Sequence, residues 1–405
     1  MLLFCCCAYI ANKYERTQLI MMQTCLTIGA GAIGKAISGF VFSNLGYQVF
    51  FADVDRSLIN EINELNGYNI ICTQYGHPKS KQFISNVKAV DLSDPDILEI
   101  AVHADIICTA IGSLGMQKFL PVLCNWIKKR IAIGNEETRL FLFENDLLLK
   151  TTITDYISNE LGFFPSNIHI IQTSIERMSK CIITKDGHRE IVSEQFIPII
   201  LSKNDLIGSG LETRNDYFQM VENVTPYYYR KLYTNNMGHA VLGYVGIFRG
   251  LKNTVQAMND PYILNLLNEA LSESVKALQK EFSFSSEDLD NHIAILKERY
   301  LNIDLKDDLT RLTRDPVRKL GRNERIIGII MLCEKHGVTA DALIKVLFYI
   351  LRYCLSVETR EPEIVRLMND YGIHGILSHI CDIPIDSDIF HSICNKYETF
   401  VAEQF

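Results

Sequence analysis

The order of apolar and polar positions divides the chain into a strand-rich first half and a helical second half. Thr24-Cys25-Leu26-Thr27-Ile28 is a short apolar run with the character of a buried strand, and it stops at Gly29. Residues 35–45 carry helical spacing, 48–52 read as a second strand, and 104–112 read as a buried parallel strand running into a glycine turn. Strand and helix go on alternating through a strand at 139–143, a helix at 146–161 and a strand at 168–175. After about residue 200 the strand-like runs stop. Helical periodicity then predicts 262–282, 286–300, 324–336, 340–355 and 361–371, punctuated by Asn253, Pro261 and Gly337. The pattern therefore predicts an α/β domain over 24–200, a tail before it over 1–23, and a mostly helical domain over 201–405.

The first strand runs directly into Gly29-Ala30-Gly31-Ala32-Ile33-Gly34, which opens the first helix. In a G-x-G-x-x-G turn the first glycine allows the tight turn and the second lets backbone N–H groups approach a pyrophosphate. The third lets the helix pack against the strand, so that its N-terminus faces the phosphates. Asp53 ends the second strand, 24 residues after Gly29. A carboxylate there accepts the adenosine ribose hydroxyls and repels a 2′-phosphate, which favours NAD over NADP. These residues predict a Rossmann dinucleotide-binding domain that takes NAD through Gly29, Ala30, Gly31, Ala32, Ile33, Gly34 and Asp53, with Gly112 at a second turn of the same crevice. FAD and S-adenosylmethionine are bound by the same first turn, so the pattern gives a cofactor class and no reaction.

Composition narrows the class. With 405 residues, 48% hydrophobic and 22% charged, the chain is long and apolar enough for two or three globular domains. A net charge of -8 argues against a general nucleic-acid binder. No apolar stretch approaches the ~20 residues of a bilayer span, so no membrane partner is expected. The twelve cysteines include no C-x-x-C and lie mostly among apolar neighbours, which predicts reduced thiols in a cytoplasmic protein. Cys333-x-x-His336 and His391-x-x-Cys394 have ligand-like spacing, which is also the spacing of one helical turn. The opening MLLFCCCAYI lacks the charged start and cleavage site of a signal peptide and reads as a tail, with Cys5, Cys6 and Cys7 unassigned.

Residues with chemistry open the helical half, after Pro226 at a first helical position. At roughly 100° per residue, Lys231, Asn236 and His239 fall at about 0°, 140° and 80° around one helix. A partly desolvated lysine acts as a base near neutrality, and an asparagine amide donates to an oxygen as charge develops on it. Such a set polarises a hydroxyl or carbonyl with no metal. Solvated Lys and Asn side chains and a structural His fit the residues equally well.

The combination of Gly29-x-Gly31-x-x-Gly34, Phe51-Ala52-Asp53, Glu144-Asn145, Lys231-x4-Asn236-x2-His239 and Pro316-Val317-Arg318-Lys319-Leu320 resembles the polyol-specific long-chain dehydrogenase/reductase family. It is most similar to members acting on mannitol 1-phosphate, from Thr24 onward. The resemblance implies a Rossmann domain and a helical domain with the active site between them. It also implies an NAD-dependent oxidoreductase that interconverts a polyol, or its phosphate, and the ketose. Mannitol 1-phosphate and fructose 6-phosphate are the first expectation; mannitol or a hexuronate, and a non-catalytic NAD-binding relative, are the alternatives. A 6-phosphogluconate-type dehydrogenase ranks behind these because its Lys-to-Asn spacing is shorter. By the same resemblance Lys231 is the general acid/base, Asn236 and Asn145 the oxyanion partners, and His239 the group that positions hydroxyls. Apart from the resemblance, Arg318, Lys319 and Arg322 form a basic patch that reads equally as a sugar-phosphate contact or as a solvated helix end. By the resemblance Glu176-Arg177 stands on the substrate side. There the chain departs from the family: Glu176 replaces an Asp, Met178-Ser179-Lys180 lacks the following Pro, and Glu194-Gln195-Phe196-Ile197-Pro198 replaces an aromatic-rich strand.

Overall fold

The computed structural model describes residues 23–134, 137–211, 215–305, 307–356 and 358–402; the N-terminal tail with Cys5–Cys7 lies outside the described residues. The chain divides into two compact units, Met1–Thr225 and Pro226–Phe405.

Among the described residues the first unit has twelve strands: β1 Thr24–Ile28, β2 Gln48–Asp53, β3 Tyr68–Thr73, β4 Ser80–Ile84, β5 Val87–Asp91, β6 Ile106–Thr109, β7 Thr138–Leu142, β8 Ile168–Ser174, β9 Ser179–Ile183, β10 Arg189–Glu194, β11 Ile199–Ser202 and β12 Phe218–Val221. Eight of them form one sheet in the order β12-β11-β8-β7-β6-β1-β2-β5. From β8 to β5 every pair is parallel; β11 runs antiparallel to β8. Strand order reverses at β1, which has β2 on one side and β6 on the other, so a crevice opens beyond the carboxyl ends of these strands. Successive strand residues enter opposite cores. Cys25, Phe51, Cys108 and Phe141 face one side, and Leu26, Ala52, Ile107 and Leu140 the other. Burial on both faces explains why β1, β6 and β7 read as continuous apolar runs.

The remaining strands form a second sheet, β4-β3-β10-β9, whose Tyr68, Ile70, Cys72, Ile84 and Ile191 join the first of these cores. Its strands carry mixed polarity, and its central pair, β3 with β10, joins distant segments of the chain, so local periodicity did not announce them. Strand β12 likewise lies beyond residue 200, where no strand was expected, because its four residues are too few to show a period.

The second unit is helical. The helices Pro261–Glu281, Ile327–Lys335 and Asp341–Leu355 share one core, and Glu273, buried, caps the last of them by accepting the N–H groups of Ala342 and Leu343 at 3.0 Å each. The expected end of a helix at Tyr371 is a real break: Gly372 adopts φ 64°, and the helix continues to His379 beyond it. Asp388–Ala402 adds a helix that was not expected.

At the amino ends of β6 and β7, Arg130 is 2% exposed. It donates to the carbonyls of Ala101, Val102, Ala104 and Glu137 and to Thr138 Oγ1 at 2.8–3.0 Å. Arg130→Met is expected to leave several buried carbonyls without a donor and to lower stability by about 3 kcal/mol in urea unfolding; an unchanged midpoint would refute the strut.

Candidate active site

The glycine turn closes on itself. Gly29 takes φ 98°, and a Cβ there would lie 2.6 Å from Ala110 O; on Gly34 it would lie 2.0 Å from Gly29 O. On Gly31 it would meet nothing within 4 Å. Two glycines thus serve chain packing, and the space over the third is open, which is the shape a pyrophosphate requires. Asp53 Oδ2 accepts the Ala30 N–H at 2.7 Å, and Oδ1 accepts those of Val54 and Asp55 at 2.7 and 3.1 Å. This carboxylate fastens the turn to the end of β2. The helix leaving the turn starts as a π-helical turn, Gly34–Gly39, with the Phe40 N–H bonded to Lys35 O five residues back.

Gly112 sits where the sequence placed it, at φ 74° after β6, but its N–H is occupied. Glu144 accepts the N–H groups of Ile111 at 2.9 Å and Gly112 at 2.8 Å, so this carboxylate occupies the N-terminus of the helix Gly112–Ala132. Burial pushes the Glu144 carboxyl up, against the downward pull of the two N–H groups. Asn145, next to it, is exposed.

On the substrate side two placements differ from expectation. Arg177 is 3% exposed and donates to Ala36 O at 2.5 Å, Glu194 O at 2.9 Å and Cys72 Sγ at 3.3 Å, with its guanidinium over Phe40 and Phe196. It ties the π-helical turn to the small sheet instead of facing a substrate; Glu176 beside it is half-buried. Lys319 is also buried. Its Nζ donates to Leu312 O at 2.8 Å, and desolvation, with Arg325 and Arg318 nearby, lowers its pKa to about 8. Arg318 is exposed and paired with Glu324 at 2.5 Å, and Arg322 donates to Asp382 O. The basic patch is thereby partly neutralised.

In the second unit one continuous helical stretch carries Lys231, Asn236 and His239. It runs through Thr225–Lys231, a π-helical turn at Leu232–Asn236, Met237–Ala240 and a second π-helical turn at Val241–Val245. The Met237 N–H bonds Leu232 O, five residues back, so the even 100° steps assumed from sequence do not hold between Lys231 and Asn236. Lys231 and Asn236 bracket the turn and are half-buried; His239 is 8% exposed. Desolvation lowers the His239 pKa to about 3, with Arg311, Arg299 and Arg325 adding to the effect and Asp307 opposing it. The ring is therefore neutral at physiological pH. Its Nε2 has no hydrogen-bond partner and lies 3.8 Å from Asp307 Oδ2, a carboxylate already bonded to Arg311. A buried, neutral imidazole nitrogen left open on the helical stretch that also carries Lys231 and Asn236 is equipped to bind a hydroxyl.

The Cys333/His336 pair has other partners: Cys333 Sγ contacts Glu273 O and His336 Nε2 bonds Glu281 at 2.7 Å. Among the described residues the cysteines are free thiols, and only Cys181 is exposed. No helix among them is long and apolar enough to cross a membrane.

Residues 23–213 match the Mannitol dehydrogenase Rossmann domain, and residues 223–380 match the Mannitol dehydrogenase C-terminal domain. The chain belongs to the mannitol dehydrogenase family. Relatives in this family include the mannitol-1-phosphate 5-dehydrogenase of Thermoanaerobacter pseudethanolicus, 27% identical over 393 residues that cover 93% of this chain and 98% of that protein. The protein of the same name from Bacillus subtilis is 27% identical over 378 residues, covering 92% and 98%. Among solved structures, Pseudomonas fluorescens mannitol 2-dehydrogenase in a ternary complex with NAD and D-mannitol shares the fold, with a TM-score of 0.76, 15% identity and coverage of 93% and 92%.

Sequence reasoning about this mannitol dehydrogenase family member missed Asp307 beside His239 and the use of the Glu144 carboxylate as a helix cap. Neither leaves a local signal, since each meets its partner across a long stretch of chain. The displaced His239 pKa has a consequence for stability. Between pH 6.5 and about 3 the unfolded chain binds a proton at this residue and the folded chain does not, so stability falls as pH falls through that window. His239→Gln removes this contribution. Its urea midpoint is expected to drop less than that of the wild type between pH 7.5 and pH 4.5, and equal drops would refute the assignment.

Proposed function

We propose that the protein is an NAD-dependent dehydrogenase that interconverts a polyol phosphate and its ketose phosphate, with mannitol 1-phosphate and fructose 6-phosphate as the pair. The observation that carries this reading is the helix with Lys231, Asn236 and the open Nε2 of neutral His239, in a chain that matches curated mannitol-1-phosphate 5-dehydrogenases over nearly their full length.

NAD, when bound, supplies the acceptor for the hydride from the carbinol carbon. Gly29–Gly34 and Asp53 would hold it, the open face over Gly31 admitting the pyrophosphate and the Asp53 carboxylate meeting the ribose. Lys231, half-buried, takes the proton from the reacting hydroxyl as general base and returns it to the ketone oxygen in the reverse direction. The amide of Asn236 donates to that oxygen while it carries negative charge. His239, uncharged, orients the substrate hydroxyls through Nε2. Arg318 is the exposed cation available to a phosphate, and its pairing with Glu324 sets a competitor the phosphate has to displace.

The test is a panel of mannitol 1-phosphate, mannitol and fructuronate with NAD or NADH, followed at the absorbance of reduced nicotinamide. Turnover of mannitol 1-phosphate well above the other two is expected; activity only with an unphosphorylated substrate would overturn the substrate assignment. Lys231→Ala is expected to lower kcat by roughly 10²–10⁴-fold while NAD binding, read by fluorescence titration, stays unchanged. Retained turnover would remove Lys231 from the acid/base role.

A further inference from the structure

The site helix is irregular, and a second helix of the same unit, Ser286–Tyr300, contacts it where it is irregular. His292 Nε2 lies 2.9 Å from Thr234 Oγ1, and Thr234 Oγ1 also donates to Arg230 O at 2.6 Å. Tyr300, 1% exposed, reaches further along. Its hydroxyl donates to Asn235 O at 2.9 Å, the carbonyl just before Asn236. Its ring meets the His239 imidazole edge-on, with centroids 5.1 Å apart and planes inclined by 62°. Between these two contacts lies Gly238, where a Cβ would stand 2.3 Å from Tyr300 Oη and 3.0 Å from Cζ.

We propose that Tyr300 is a positioning residue for Asn236 and His239, an assignment that rests on the dehydrogenase reading above. A π-helical turn is rare and is not held by local propensity, so the direction of the Asn236 side chain depends on what pins the backbone before it. The Tyr300 hydroxyl pins the Asn235 carbonyl from outside the helix. The ring restricts the rotation of the His239 imidazole and excludes water from it, which keeps the ring neutral and Nε2 aimed in one direction. Gly238 is required so that the tyrosine can lie this close to the helix backbone. None of these contacts touches a reacting atom; Tyr300 acts through the residues that do.

Tyr300→Phe keeps the ring and removes the hydroxyl. Displaced oxyanion and hydroxyl partners are expected to lower kcat roughly tenfold and raise the polyol KM, while the KM for NAD stays unchanged. A purely structural role would reduce the amount of active protein, lowering kcat with both KM values intact; that result, or three unchanged constants, would overturn the proposal. Gly238→Ala supplies a second arm. Its new methyl meets the tyrosine hydroxyl first, so its effect on kcat is expected to be much smaller in the Tyr300→Phe background than in the wild type, and additive effects would overturn the coupling. A wild-type protein inactive on every polyol and polyol phosphate overturns the dehydrogenase reading and this assignment with it. An active wild type with an indifferent Tyr300→Phe overturns this assignment alone.

Discussion

The first unit depends on one close approach, that of Gly34 to the carbonyl of Gly29. With no room for a Cβ between them, the helix leaves β1 in direct contact with the turn, and its N-terminus stays over the ends of β1 and β2. Other constraints follow from that position. Gly29 must adopt a left-handed φ to pass under Ala110, the Ala30 N–H is turned toward Asp53, and the backbone around Gly31 is left facing open space. The strand order around β1 then does the rest, because β2 and β6 diverge on either side of the turn.

Both helices that carry the proposed chemistry begin or continue as π-helical turns, and in both the displaced backbone is held from outside. Tyr68 donates to Lys35 O at 2.7 Å and Arg177 to Ala36 O in the first; Tyr300 donates to Asn235 O in the second. A buried carbonyl without a donor is expensive, so these side chains stabilise the irregular turn against a regular helix. The same demand for donors explains Arg177. A cation enclosed between Phe40 and Phe196 is tolerable because its N–H groups meet carbonyls and a thiol.

Buried polar groups separate into satisfied and open ones. Glu144 and Glu273 are buried carboxylates, each occupied by two backbone N–H groups at a helix N-terminus, and Arg130 and Lys319 are buried cations whose donors meet main-chain carbonyls. These are structural uses of residue types that sequence alone associates with chemistry. His239 differs: it is as buried as they are, yet one ring nitrogen is left open. Burial with an unmet hydrogen bond is the mark that separates it from Arg177, which the family resemblance had placed on the substrate side, and from Lys319, which a basic patch had placed there.

The amino-acid order alone determined the elements whose residues carry their own signal. β1, β6 and β7 read as apolar runs because both faces are buried, Gly29, Gly31 and Gly34 announce a turn only glycine allows, and the helices of the second unit show their 3.6-residue period. The family resemblance, carried by the Lys231, Asn236 and His239 spacing, was also legible there. Tertiary structure decided what depends on distant partners. The β3–β10 pairing of the small sheet, the late strand β12, the Glu144 cap and the inward turn of Arg177 each require a pairing across long stretches of chain, which no local window contains. The π-helical turn between Lys231 and Asn236 belongs with them. A sequence with good helical spacing predicts a regular helix, and only side chains arriving from another helix make the irregular one the more stable choice.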